Sequence, residues 1–214
     1  MFMREIECNR RAISLGRHCQ TAYQIRRYTG IMTSSYFDWL GTPHAGLVSI
    51  LQNNFETVFL KENLRMSADQ THIVDQEGEI LYRHTFSKIA GTNLTKPEAV
   101  DQEYDQKRPK MEYLIRKWRT LIETELILFV RQDTPTVSQT FELYESLVSQ
   151  APRYPFHVLY VVPAEYSLAI DHPNIHVRRG IDLPTGPTDW MGEDAAWDAI
   201  FSEFAIRVKS AIKP

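Results

Sequence analysis

Two hydrophobic periods alternate along this chain, and each change of period marks an element. Ala12-Ile13-Ser14-Leu15-Gly16 is short, apolar-rich and closed by glycine, which predicts a strand. Cys19 to Tyr28 predicts a helix: Arg26-Arg27 suit the negative end of the dipole, and Gly30 is a stop. Thr42-Pro43 makes a helix start, and Leu47, Ile50, Leu51, Val58 and Phe59 carry that helix from Pro43 to about Leu60. From Thr71 to Ser87 two β-rich runs flank Gln76-Glu77-Gly78, which predicts a hairpin. Its second run places Ile80, Tyr82, His84 and Phe86 on one face.

Residues 88–109 are polar and carry no period. Met111, Leu114, Ile115, Trp118, Leu121 and Ile122 then form an amphipathic helical stripe. Leu126–Val130 is a fully apolar strand followed by Arg131-Gln132-Asp133. Ser138 caps a further helix, Phe156–Val162 and Ile175–Val177 are strands, and a last helix carries Trp197, Ile200, Phe201, Phe204 and Val208. Apolar strands separated by helices predict one α/β domain over residues 1–214. The expected architecture is a mostly parallel sheet with helices on both faces, Rossmann-like and three-layered. The hairpin near 71–87 belongs to an insertion of about 61–110.

Composition narrows the function classes. The 214 residues are 43% hydrophobic with a net charge of −3, which suits a globular chain and gives no global pull toward nucleic acid. No apolar run is long enough for a membrane span, and the first residues lack the apolar core of a secretory signal. Cys8 and Cys19 are too few for a disulfide scaffold, so the expectation is a cytoplasmic protein with free thiols. Phosphate-loop, dinucleotide, zinc and serine-elbow motifs are absent, so no cofactor or metal is expected. The chain does not specify an oligomeric state.

Ligands of open α/β sheets sit beyond the carboxyl ends of strands. That rule selects Gly16, Arg17, His18, Cys19 and Gln20 after the first strand, Arg131, Gln132 and Asp133 after the Leu126–Val130 strand, and Pro163, Ala164 and Glu165 after the Val158–Val162 strand. A cysteine in the first turn of a helix meets unpaired N–H groups and the positive dipole end, which favour thiolate. Packing as a small hydrophobe is the competing reading of Cys19. His84, on the apolar face of the second run, is the leading general base, with a core or rim histidine bonded to backbone as the competing and commoner reading. His18, adjacent to Cys19, would diverge from it by about 100° on a helix. Asp38 either orients a histidine, binds a substrate hydroxyl or closes a turn. Arg131 would grip a carboxylate or phosphate, or pair at the surface. Trp190 offers a stacking platform for a sugar.

Ser14-Leu15-Gly16-x-x-Cys19-x-x-Ala22-x-Gln24, Phe37-Asp38-Trp39-Leu40, His84-Thr85-Phe86 and Leu128-Phe129-Val130-Arg131 together resemble a bacterial family of unknown function labelled papain-like cysteine peptidases. The resemblance implies Cys19 as nucleophile and His84 as its histidine, and it connects the chain with surface-polysaccharide systems. Family members commonly carry aspartate after the histidine. Thr85 stands there in this chain, so Asp38 or Asp75 would have to orient His84. A papain-like fold also implies an antiparallel sheet, whereas the strand–helix alternation after residue 110 predicts a parallel one.

The leading expectation is therefore a cysteine hydrolase or acyltransferase acting on a small-molecule, glycan or peptide substrate. Gly16, Arg17, Gln20, Arg131 and Trp190 would bind that substrate. The alternatives are a non-catalytic module binding a glycan or nucleotide-sugar through Arg131, Asp38 and Trp190, and a glycosyltransferase-like enzyme using the strand-end crevice.

Overall fold

The computed structural model describes residues 10–186 and 189–209. Cys8 lies outside them. The chain is a mixed α/β protein with a four-stranded parallel sheet and a separate three-stranded antiparallel sheet.

The parallel sheet contains β1 (Arg11–Ser14), β5 (Ile127–Gln132), β6 (His157–Val162) and β7 (Ile175–Arg179), side by side in that order. The strand order follows the chain without reversal. A doubly wound sheet opens its crevice where the order reverses, so the described strands contain no such crevice. Successive side chains point to opposite faces, and each face has its own core. Ile13, Phe129, Val158 and Tyr160 pack with α2 (His44–Gln52), α3 (Ala99–Thr124), α4 (Val137–Ser149) and the small sheet. Ala12, Leu128, Val130, Leu159 and Val161 pack with α1 (Cys19–Thr29) and α5 (Asp194–Ser202).

The small sheet joins β2 (Leu64–Met66), β3 (Ile73–Asp75) and β4 (Ile80–Tyr82). The expected hairpin is thus present, with a third strand and a shorter second run. His84 lies in the turn after β4, not on the strand. Tyr82 and Phe86 face inward, while His84 is exposed.

Other boundaries moved for physical reasons. α2 stops at Gln52 because Asn54, Phe55 and Phe59 adopt positive φ. α3 begins well before its apolar stripe and contains Pro109. The proline leaves the exposed Asp105 carbonyl without a helical donor, and solvent can satisfy it. Thr136, rather than Ser138, caps α4 through a reciprocal capping box with Gln139. α5 ends at Ser202 because Ile206 turns away to bridge Arg10. Gly30 closes α1 at φ 66°, as its position predicts.

Arg131 ties these pieces together. It is 0% exposed inside the sheet. Its Nε and Nη2 donate to Asp133 Oδ2 at 3.0 and 2.7 Å. Nη1 donates to the Leu15 carbonyl at 3.0 Å, and Nη2 also reaches the Thr42 carbonyl at 2.9 Å. One guanidinium thereby joins β5, the end of β1 and the start of α2. Removing it takes the guanidinium donors from Asp133 Oδ2 and the Thr42 carbonyl and leaves the Leu15 carbonyl to Thr42 Oγ1. Arg131→Met should cost about 3–5 kcal/mol, read as a fall in the urea midpoint with an unchanged slope. A variant within 1 kcal/mol of wild type, on the order of a surface pair, would show that the guanidinium is dispensable.

Candidate active site

Cys19 is the first residue of α1 and follows a tightly specified turn. Gly16 and Arg17 both adopt φ 74°. A Cβ on Gly16 would lie 2.1 Å from Thr42 Oγ1, so only glycine fits. Thr42 Oγ1 donates to the Leu15 carbonyl and accepts from Arg17 N–H, both at 2.9 Å. Arg17 also pairs with Asp133 Oδ1 at 3.5 Å. A non-glycine residue in this region stores about 1–3 kcal/mol, held by its surroundings. His18, the N-cap, makes no side-chain cap bond, and the first turn of α1 has no acidic residue. Its leading N–H groups therefore face the space beside Cys19 without a carboxylate cap.

His84 arrives from the other direction. Gly41 and Leu81 exchange backbone hydrogen bonds at 3.0 and 2.8 Å, which fastens β4 beside the Thr42 turn. That bridge carries His84 to Cys19 across 65 residues of sequence, with His84 Nε2 3.9 Å from Cys19 Sγ. Trp39, also at positive φ (65°), meets the His84 ring edge-to-face at 6.4 Å. The Arg26 guanidinium lies 5.1 Å over the Trp39 ring, a cation–π contact. Trp190 closes the wall, 6.3 Å from Trp39 and 5.2 Å from Tyr23.

Several expected roles are corrected by this geometry. Asp38 does not touch His84; its buried carboxylate accepts from Arg26 at 2.9 Å and from Ser35 N–H at 3.0 Å. It closes a turn and holds the cation that packs on Trp39. Asp75 is spent on Phe59 and Glu77 N–H groups. Neither aspartate orients His84. Arg131 is buried with its donors satisfied internally, so it binds no substrate anion. Gln20 is likewise committed: its Oε1 accepts from Gln132 at 2.5 Å, and its Nε2 donates to the Asp189 carbonyl at 3.3 Å. A binding pocket made of Arg131, Asp38 and Trp190 is thus not assembled. Gly16 shapes the turn, Arg17 remains part-exposed beside Cys19, and Trp190 stands at the wall.

Charge states also differ from expectation. Burial pushes the Cys19 thiol above its ordinary range, outweighing the nearby Arg83 guanidinium and a backbone hydrogen bond, both of which pull it down. Burial, with Lys88 and Arg83, pushes His84 below the ordinary histidine range. Thiolate is therefore not the resting form. At neutral pH a thiol faces a neutral imidazole. His18 is pushed down to about 4 by burial and Arg17, and its Nε2 is buried without a partner. It stays neutral and enclosed.

Trp39 and Arg83 escaped the sequence reading. Trp39 sat inside the Phe-Asp-Trp motif, but the acid beside it drew the functional assignment. Arg83 precedes His84, and only the turn shows that both face the thiol.

A cysteine and a histidine meeting at the junction between a parallel sheet and a small antiparallel one define a candidate cysteine-dependent site. Residues 10–163 match the family described as putative papain-like cysteine peptidase (DUF1796), and the chain belongs to that family. The match runs from the start of β1 to just past β6, so Cys19, Trp39 and His84 lie within it and Trp190 lies beyond it. No curated protein and no solved structure shows a significant match. No described helix is long and apolar enough to cross a membrane, and no described cluster of His, Cys, Asp and Glu could hold a metal.

The charge states set a measurable expectation. Alkylation of Cys19 by iodoacetamide should rise with an inflection above the ordinary thiol value of about 8.5. A plateau already reached at pH 7, read by intact-protein mass, would mean that the thiol is ionised at rest.

Proposed function

We propose that the protein is a cysteine hydrolase acting on amide or ester carbonyls. The observation that carries this reading is the 3.9 Å approach of Cys19 Sγ and His84 Nε2 across a half-open surface. Apo contacts of this length tighten when substrate arrives.

Because both groups rest neutral, the reaction begins with general-base catalysis. Cys19 sulfur attacks the carbonyl carbon while His84 Nε2 takes the thiol proton. Negative charge develops on the carbonyl oxygen, and the N–H groups leading α1 are the donors placed to receive it. As the intermediate collapses, the carbon–leaving-group bond breaks and His84 returns the proton to the departing amine or alcohol. The acyl group remains as a thioester on Cys19. Water then gives a proton to His84 and adds to the thioester, and collapse releases the acid while Cys19 regains its proton. An acceptor alcohol or amine in place of water would make the same thioester an acyltransferase intermediate.

With no carboxylate of the described residues on its second nitrogen, His84 depends on packing for its orientation. Trp39 supplies that contact, and the Arg26–Asp38 pair supports Trp39. The site is accordingly read as a dyad rather than a triad.

Turnover of an activated ester or a fluorogenic peptide tests the assignment. Cys19→Ala should abolish acyl-enzyme formation, and His84→Ala should lower kcat/KM by about 10²–10⁴-fold without lowering the melting temperature. The acid limb of the pH profile should fall below the ordinary histidine value of about 6.5, since His84 must be neutral to accept the proton and its pKa is depressed. Retained turnover in Cys19→Ala would end the proposal, and so would a wild type inert to every activated acyl substrate.

A further inference from the structure

A cavity of about 210 Å³ opens beside His84, on the side of its ring that meets Trp39. It is smaller than the 300–1,000 Å³ of pockets for drug-sized ligands. It holds the volume of about seven waters, which is the scale of one side chain. Its wall is unevenly built. Trp39, Leu40, Met111 and Leu114 give an apolar floor, while Lys107 and Lys110 bring cations to it. The α3 contribution comes from positions 107, 110, 111 and 114, one stripe of the helix.

The charges can be counted. Lys107 Nζ lies 3.3 Å from Glu103, which offsets it. Asp38 also borders the cavity, but its carboxylate is taken by Arg26 and Ser35. Lys110 is exposed and has no ion-pair partner among the described residues. Lys88, behind His84, is occupied by Thr71 and Thr95. Among the lining residues Lys110 is thus the one unpaired cation, and an ammonium beside Trp39, Leu40, Met111 and Leu114 suits an anion on a short hydrocarbon stem.

We propose that this cavity is a substrate subsite for a carboxylate-bearing side chain, so that the acyl group delivered to Cys19 comes from an acidic peptide. The proposal rests on the Cys19–His84 reading. His84 lies at the boundary of cavity and thiol, so a side chain seated there brings its own backbone carbonyl beside the sulfur. Exposed Arg83 adds positive potential at the thiol and at His84.

Matched N-acetylated chloromethyl ketones carrying a glutamyl, glutaminyl or lysyl side chain test it on the full chain. Each is attacked by Cys19 sulfur at the chloromethyl carbon, forming a C–S bond and releasing chloride. The second-order rate is read by the mass of the Cys19-containing peptide, which separates it from alkylation at Cys8. The glutamyl probe should outrun the glutaminyl one by about 5–10-fold at low salt, with the lysyl probe slowest. That ratio should fall toward unity in Lys110→Gln and further in Lys107→Gln/Lys110→Gln, and also at about 1 M salt. Melting curves check that the variants are folded. Equal glutamyl and glutaminyl rates, or a glutamyl preference that survives the double substitution, would overturn the subsite. His84→Ala separates the two levels. If it slows all three probes while no charge preference exists, the dyad stands and the subsite falls. If it leaves every rate unchanged while the lysines still set the ratio, the subsite stands and the dyad falls.

Discussion

The fold turns on one buried guanidinium. Arg131 leaves the middle of a parallel sheet and satisfies its donors on Asp133 and on the carbonyls of Leu15 and Thr42. A charge removed from water is tolerated only when its hydrogen-bonding capacity is met. Here that requirement dictates geometry. The end of β1 and the start of α2 must come within reach of β5, and the chain between Leu15 and Cys19 must turn sharply. Gly16 and Arg17 accept left-handed backbone in consequence, and Thr42 locks the turn from both sides. Cys19 then has one place to be.

A second constraint carries the histidine to it. The Gly41–Leu81 bridge attaches the small antiparallel sheet next to the same Thr42 turn. The site therefore lies where two sheets are fastened together, not in the crevice of a wound sheet. That origin accounts for its openness, since neither sheet covers it. It also accounts for its chemistry. Partial burial disfavours both ionised forms, so a thiol and a neutral imidazole face one another, and in the proposed reaction the proton moves when the electrophile arrives.

Asp38 shows how a polar motif residue can serve a site it does not touch. Its carboxylate holds Arg26, Arg26 lies over Trp39, and Trp39 packs against His84. Through that chain of contacts the imidazole is held by packing, and no carboxylate of the described residues hydrogen-bonds it. Thr85 following His84 fits that arrangement, since no acid is supplied locally.

The amino-acid sequence alone determined the α/β class, the parallel sheet, the hairpin, and the identities of Cys19 and His84 as the residues to watch. These follow from local signals: hydrophobic period, glycine and proline punctuation, and a thiol at a strand-to-helix junction. It misassigned Arg131 and Gln20 and left Asp38 open between a catalytic role and closing a turn, because sequence shows which polar groups a segment carries but not which buried partners they meet. The direction of the thiol's pKa was lost for the same reason. Helix position favours ionisation and is visible in sequence, whereas burial opposes it and depends on what the rest of the chain lays over the residue. Only the tertiary structure decided that Arg131 is a tie, that Trp39 stands where an acid was sought, and that a lysine-edged cavity adjoins His84. Each of these is a contact between segments far apart in the chain, and no local period encodes it.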